Sequence, residues 1–296
     1  MEGKVETRRN LLVFLTPVLI FSVLFLAYPL LYSGYLSLTH YNYATDEAPQ
    51  FIGFQGYIET FQDPLFHVAL VNQVKFTIPY FILTFVLSLA IAIVISNLIR
   101  GITFFQILFS LPMIIPLSLV GIMFEWILFP DFGIFNHLLR VLGIASWNVK
   151  WYSDPRLAIY CLAIAQAWKM VGFTVLILVA GLQTIPKALR EAAQIDGVNF
   201  FEELWYIIIP NLKPSLFICT TWILINSLKV FDLPRVVTEG GPGTSTVTLY
   251  FYSWKLGFEQ LLMGRASQVA YITAAIILLF SWGLNRLFRH EPAKRG

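Results

Sequence analysis

Apolar positions in this chain come in long unbroken runs, not in the alternation of a half-buried strand or the stripe of a surface helix. The runs cover 11 to about 32, about 76 to about 98, 102 to about 124, 157 to about 182, 216 to about 229 and about 269 to 288. A bilayer core about 30 Å thick needs about 20 apolar residues in a helix, and five of the six runs meet that length. The fifth is short and reaches Pro234 only if it continues into an outer funnel. The first run follows Lys4, Arg8 and Arg9 as a signal peptide would, but it is too long for an h-region and no small-residue cleavage pattern follows Pro29. It is read as a retained span. The pattern predicts an all-α membrane protein with six transmembrane helices, the second and third joined by a very short turn at Arg100.

The polar intervals carry the local code. The stretch 38 to 73 is aromatic and acidic, and 125 to 156 mixes Trp147, Trp151 and Tyr152 with Phe132-Gly133, as an interfacial or re-entrant helix would. Between the fourth and fifth runs lies 183 to 214. There Pro186 suits a first helical turn with Thr184 as its cap, and Gly197 suits a left-handed end, predicting a helix from 186 to 196. Asn199 with Glu202 three residues on is a capping-box pattern, predicting a second helix from near Phe200 to just before Pro210. The product is helix, sharp turn, helix. Ala192 and Ala193 leave the first helix nearly bare, Leu189 and Ile195 offer apolar contact, and Glu191 and Asp196 offer charge-assisted hydrogen bonds. That is the composition of a docking knob.

Composition agrees with the spans: 57% of the 296 residues are hydrophobic and 12% charged, too apolar for a soluble domain. A net charge of +3 without a basic cluster gives no reason to expect nucleic acid. Lys and Arg favour one side: with the termini and the 183–214 loop inside, inner segments hold eleven in about 60 residues and outer ones seven in about 100. The domain reading is therefore a cytoplasmic tail 1–10, a transmembrane domain 11–288 containing the loop 183–214, and a cytoplasmic tail 289–296. Cys161 and Cys219 lie in apolar runs, which argues against a disulfide, and the four His have no metal-ligand spacing. Gly240-Gly241-Pro242-Gly243-Thr244 lacks the Lys of a phosphate loop and is read as a rigid external turn.

The spacing of Glu191-Ala192-Ala193, Gly197, Ile207 and Pro210 resembles the cytoplasmic loop of binding-protein-dependent ABC importer permeases, with Ile209 where that family usually has Leu. Further residues extend the likeness to the carbohydrate-uptake permeases related to the maltose and glycerol-3-phosphate systems: Gly181-Leu182-Gln183-Thr184-Ile185-Pro186, Phe231-Asp232, Thr238, Gly240-Gly241-Pro242, Gly264 and Ala266-Ser267. Gln268 departs from it, replacing a commonly small residue. The resemblance implies a transmembrane permease subunit of an ATP-driven importer in the cytoplasmic (inner) membrane, both termini cytoplasmic. It implies a sugar or oligosaccharide delivered by an extracytoplasmic solute-binding protein, a second and related permease chain or a second copy, and two copies of a cytoplasmic ABC ATPase. ATP and magnesium belong to those ATPases, and this chain is expected to bind no cofactor and catalyse no reaction.

By the same resemblance Leu189, Glu191, Ala192, Ala193, Ile195, Asp196 and Gly197 form the ATPase-coupling element. The spans on either side of the loop line the solute path, which makes Gln166, Lys169, Met170, Phe173, Asn226 and Ser227 candidates for touching solute. Polar residues within spans also act as interhelical glue. Three alternatives stand beside this reading. Lys169, the single Lys deep in these two spans, would suit glycerol-3-phosphate or another small anionic solute. A membrane-embedded lipid-modifying enzyme would need paired acids, and the one adjacent pair, Glu202-Glu203, cannot share a helix face. A self-contained channel would leave the long inner loop without a purpose.

Overall fold

The computed structural model describes residues 14–97, 101–144 and 148–288. The readings made for Lys4, Arg8, Arg9, Arg100, Trp147, Arg289, Lys294 and Arg295, and for the two terminal tails, lie outside the described residues. Contacts divide the chain into two compact units: Met1–Asp63 with Ser253–Ile272, and Pro64–Tyr252 with Thr273–Gly296.

The first unit begins with α1, Phe14–Leu36, whose apolar window buries nothing. A small hairpin follows, β1 Thr39–His40 pairing antiparallel with β2 Gln50–Phe51, and then α2, Gln55–Gln62. The start of the last helix is held to α2 by polar contacts. Thr60 Oγ1 donates to Gln268 Oε1 at 3.0 Å, and the Arg265 guanidinium pairs with Asp63. The Gln268 departure has its compensation here: a Cβ on Gly56 would stand 2.1 Å from Gln268 Nε2, so glycine leaves the room that the amide fills.

The second unit carries the remaining spans. Helix α3, Pro64–Ser96, starts about three turns ahead of the expected residue 76. The polar letters that suggested a loop are helical because the fold gives them partners. Asn72 Nδ2 donates to the carbonyls of Thr244 and Val247 at 2.7 and 3.0 Å, and Gln73 Nε2 to that of Ser227 at 2.9 Å. Asn72 thereby ties α3 to the residues just after the glycine-rich turn, where Gly240 and Gly243 both have positive φ.

The expected third span is broken. Helices α4, Ile102–Ile114, and α5, Leu117–Ile127, are bent by 94°. Pro116 explains the break, since its ring pushes the preceding residue out of the helical region and Ile115 takes φ −70°, ψ 129°. A short helix α6, Ile134–Val141, follows, with Asn136 buried and its amide bonded to the Pro130 and Val149 carbonyls.

Helix α7, Ala158–Gln183, is the axis of this unit, with 67% of its apolar window buried. In lipid there is little hydrophobic gain from bringing helices together, so close packing and hydrogen bonds must do it, and small residues permit close approach. Gly172 meets the backbone of α4 at Phe109, Gly181 meets Ser215 and Leu212, and Ser88 Oγ on α3 donates to the Val171 carbonyl at 3.1 Å.

Beyond α7 come α8, Lys187–Ile195, and α9, Phe200–Asn211, the latter bent by 78° from α10, Lys213–Leu228. The second loop helix was expected to stop before Pro210, yet it runs through it. A π-helical stretch, Glu203–Ile208, widens the turn immediately before Pro210, where a regular α-turn would bring the ring against the carbonyl four residues back. Helix α11, Leu249–Trp254, and α12, Met263–Phe288, complete the chain. Helix α12 begins earlier than residue 269. Among the described residues four helices are long and apolar enough to cross a membrane, or up to six spans if each bent pair counts as one.

Candidate functional site

The knob is built by its turn. Gly197 takes φ 77°, and the N–H of Val198 reaches back to the Ala193 carbonyl at 3.1 Å, closing the end of α8 in the manner of a Schellman motif. Two residues on, the Glu202 N–H donates to Asn199 Oδ1 at 3.0 Å, and the Asn199 N–H to Glu202 Oε2 at 2.9 Å. This is the reciprocal box the sequence predicts. Thr184, by contrast, does not cap α8; its hydroxyl turns back to the Gly181 carbonyl at the end of α7.

On α8, Ala193 is buried, while Leu189, Glu191, Ala192 and Ile195 are exposed, Ile195 at 85%. Asp196 and Gly197 are exposed beside them. The coupling candidates other than Ala193 therefore form a surface, acidic and apolar together. The adjoining α9 exposes Phe200, Phe201, Trp205 and Tyr206, and is anchored through Ile208, with Leu212 just past its end, in a core shared with Ile93 and Ile95 of α3 and Leu178 and Leu182 of α7.

Sequence reasoning overlooked what holds α8. Arg190 Nε donates to Glu203 Oε1 on α9 at 2.6 Å, and its Nη2 donates to Asn97 Oδ1, just past the end of α3, at 3.0 Å. Asn97 is about 90 residues away in the chain, and no local pattern announces the pairing.

The candidates for touching solute divide into two sets. Gln166, Lys169 and Ser227 are buried; the Lys169 ammonium, the Gln166 amide nitrogen and the Ser227 hydroxyl all donate to carbonyls, while Gln166 Oε1 is buried with no hydrogen-bond partner among the described residues. The Gln166 amide donates to the Asn226 carbonyl at 3.1 Å and the Gln73 amide to the next carbonyl, so two glutamines from α3 and α7 satisfy the open C-terminal turn of α10. The Lys169 ammonium donates to the carbonyls of Met113 and Ile115, which the break before Pro116 leaves without helical partners. Met170, Phe173 and Asn226 are partly exposed. Phe173 packs on Trp222 with ring centroids 4.7 Å apart, and Asn226 bonds to the Trp222 carbonyl one turn away. Trp222 is the residue missed; its place four positions before Asn226 was the available signal. Among the described residues there is no group of three or more His, Cys, Asp or Glu that could hold a metal ion.

Residues 100–290 match the family model described as binding-protein-dependent transport system inner membrane component. The chain is 30% identical to the probable ABC transporter permease protein YurN of Bacillus subtilis, over 93% of this chain and 94% of the relative. It is 32% identical to the sulfoquinovosyl glycerol transport system permease protein SmoG of Agrobacterium fabrum, over 93% and 89%. In fold it is similar to a chain of a bacterial alginate ABC transporter crystallised with an alginate pentasaccharide-bound periplasmic protein, with a TM-score of 0.83 over 98% of this chain and 97% of that one, at 21% identity. The chain belongs to the binding-protein-dependent transport system inner membrane components, the multi-pass permeases of ABC transporters.

Proposed function

We propose that this chain is the permease subunit of an ATP-driven importer for a sugar or oligosaccharide, and that α8 is the element on which a cytoplasmic ATPase seats. The observation that carries the reading is the exposed face of α8, rigidly closed by Gly197 and the Asn199–Glu202 box. An acidic and apolar knob of this kind is suited to a cleft in a partner and has no use in crossing a bilayer. In this reading both termini and the knob are cytoplasmic, each bent pair is one span, and six spans result. A second permease chain of related sequence completes the pathway, two ATPase copies power it, and an external solute-binding protein supplies it.

Carbohydrate is supported by the relatives, one serving a glycoside and the structural neighbour handling alginate. It is also supported by the partly exposed Phe173–Trp222 pair with Met170 and Asn226, since sugar sites combine aromatic faces with amide groups. The anionic alternative rested on Lys169, whose ammonium is engaged by two carbonyls and so is not a free cation for a solute.

The test is purification of tagged protein from its native membrane, with Glu191→Ala in parallel. Wild type is expected to bring down an ATPase and a second membrane chain, and Glu191→Ala to lose the ATPase or its stimulated turnover. Purification of the chain alone, with the variant behaving identically, would refute the docking role of α8. Trp222→Ala, assayed with the cognate binding protein against a panel of sugars, is expected to abolish uptake while leaving the ATPase bound.

A further inference from the structure

A knob that only docks could be held anywhere, but one that transmits movement must be tied to the spans it moves. Helix α8 has three connections to the rest of its unit. Two are along the chain, at Ile185-Pro186 toward α7, where Ile185 is buried in the core, and at the closed turn of Gly197 toward α9. Burial adds little, because Ala193 is the buried side chain among those described on this helix. The third connection is the guanidinium of Arg190. It is planar and forked, so one group addresses Glu203 and Asn97 in fixed directions at once, which a lysine would not do. Water competes weakly for the ion pair, whose side chains are 27% and 14% exposed.

The two acceptors stand on different elements. Glu203 lies at the start of the π-helical stretch of α9, whose opposite face is locked into the core through Ile208. Asn97 lies one residue past Ser96, the last residue of the second span, and Ile93 and Ile95 of that span belong to the same core. We propose that Arg190 is a positioning residue that carries displacement of α8 to the cytoplasmic end of α3, so that the second span moves together with the loop. This rests on α8 being the ATPase-docking element. Arg190 itself lies on the side of α8 that faces α3 and α9, so the docking surface formed by Glu191, Ala192 and Ile195 survives its replacement.

The experiment uses the whole complex in lipid nanodiscs, with Mg-ATP and orthovanadate as the probe, so no solute need be known. Three quantities are read for Arg190→Met, Asn97→Ala, Glu203→Arg and the exchange Arg190→Glu with Glu203→Arg: ATPase subunit retained, Mg-ATP turnover, and hydrogen exchange at 90–97 with and without vanadate trapping. Arg190→Met is expected to retain the ATPase, to keep KM for ATP, to lose at least about fivefold in kcat, and to abolish the vanadate-dependent change at 90–97. Asn97→Ala, which leaves the ion pair intact, is expected to lose the same exchange response with a smaller fall in turnover. The exchange variant recovers turnover relative to Glu203→Arg alone. Wild-type turnover and exchange response in both Arg190→Met and Asn97→Ala would overturn the proposal. So would loss of the ATPase from Arg190→Met, which would make Arg190 part of the docking surface. If wild type itself retains no ATPase, the docking reading fails first and this one with it.

Discussion

Gly172→Ala is the substitution whose cost can be worked from the structure most directly. A Cβ at this position would stand 2.0 Å from the Phe109 carbonyl oxygen, 2.8 Å from its carbon and 2.9 Å from Ser110 Cα. All three are backbone atoms of α4, so no rotamer change can clear them. Ordinary contact begins near 3.4 Å, so α4 and α7 must separate by more than 1 Å. One turn away on α7, Lys169 reaches the Met113 carbonyl at 2.7 Å, and on the other side of α7 Ser88 bonds to the Val171 carbonyl at 3.1 Å. Separation lengthens the first set of bonds or drags α7 away from the second. Overpacking of a well-filled contact costs about 1–3 kcal/mol, and strained hydrogen bonds put this site at the upper end. At about 2–4 °C per kcal/mol for a unit of this size, the apparent Tm should fall by about 5 to 10 °C.

The protein supplies its own reporter, because both of its cysteines, Cys161 and Cys219, are buried and free. A thiol-reactive fluorogenic dye in detergent therefore reads unfolding. The control is Gly283→Ala, where an added Cβ meets nothing within 4 Å; there the helix propensity of alanine should leave the Tm unchanged or raise it slightly. Equal unfolding temperatures for Gly172→Ala and wild type would show that α4 does not lie against α7 as described. The reasoning from close backbone approach would then fail.

Lys169→Met removes a cation from the membrane interior, which is favourable, but strands two carbonyls at the break before Pro116, each costing about 1–3 kcal/mol; the same dye assay should show a net loss of stability. A stability equal to wild type would mean that the ammonium does not hold the broken span. Gly56→Ala should likewise destabilise, by forcing out the Gln268 amide 2.1 Å away, and Gly56→Ala with Gln268→Ala should recover most of the loss. Failure of the second change to rescue would break the claimed compensation between these two positions.

What the sequence made legible follows from the range of the forces involved. The turn after α8 was readable because all its causes lie within a few residues: Gly197 supplies the positive φ, and Asn199 and Glu202 satisfy each other's N–H groups. Run length located α7 within a residue, since Gln166 and Lys169 are isolated polar residues that do not interrupt its apolar run. The errors fall where a residue's partner is remote. Asn72 and Gln73 closed the polar interval 38 to 73 and lay outside the expected run from 76, yet they are helical, and carbonyls more than 150 residues away accept their hydrogens. The break of the third span turned on Pro116, and sequence could not say whether this proline would bend or break a helix. Pro79 sits inside α3 without ending it, and Pro112 inside α4. The difference at Pro116 is a remote one as well: the carbonyls of Met113 and Ile115 exposed by the break are received by Lys169 from another helix. A membrane offers no water to satisfy them. The break is therefore supported where a third helix brings a donor to it, and the Lys169 ammonium of α7 is that donor.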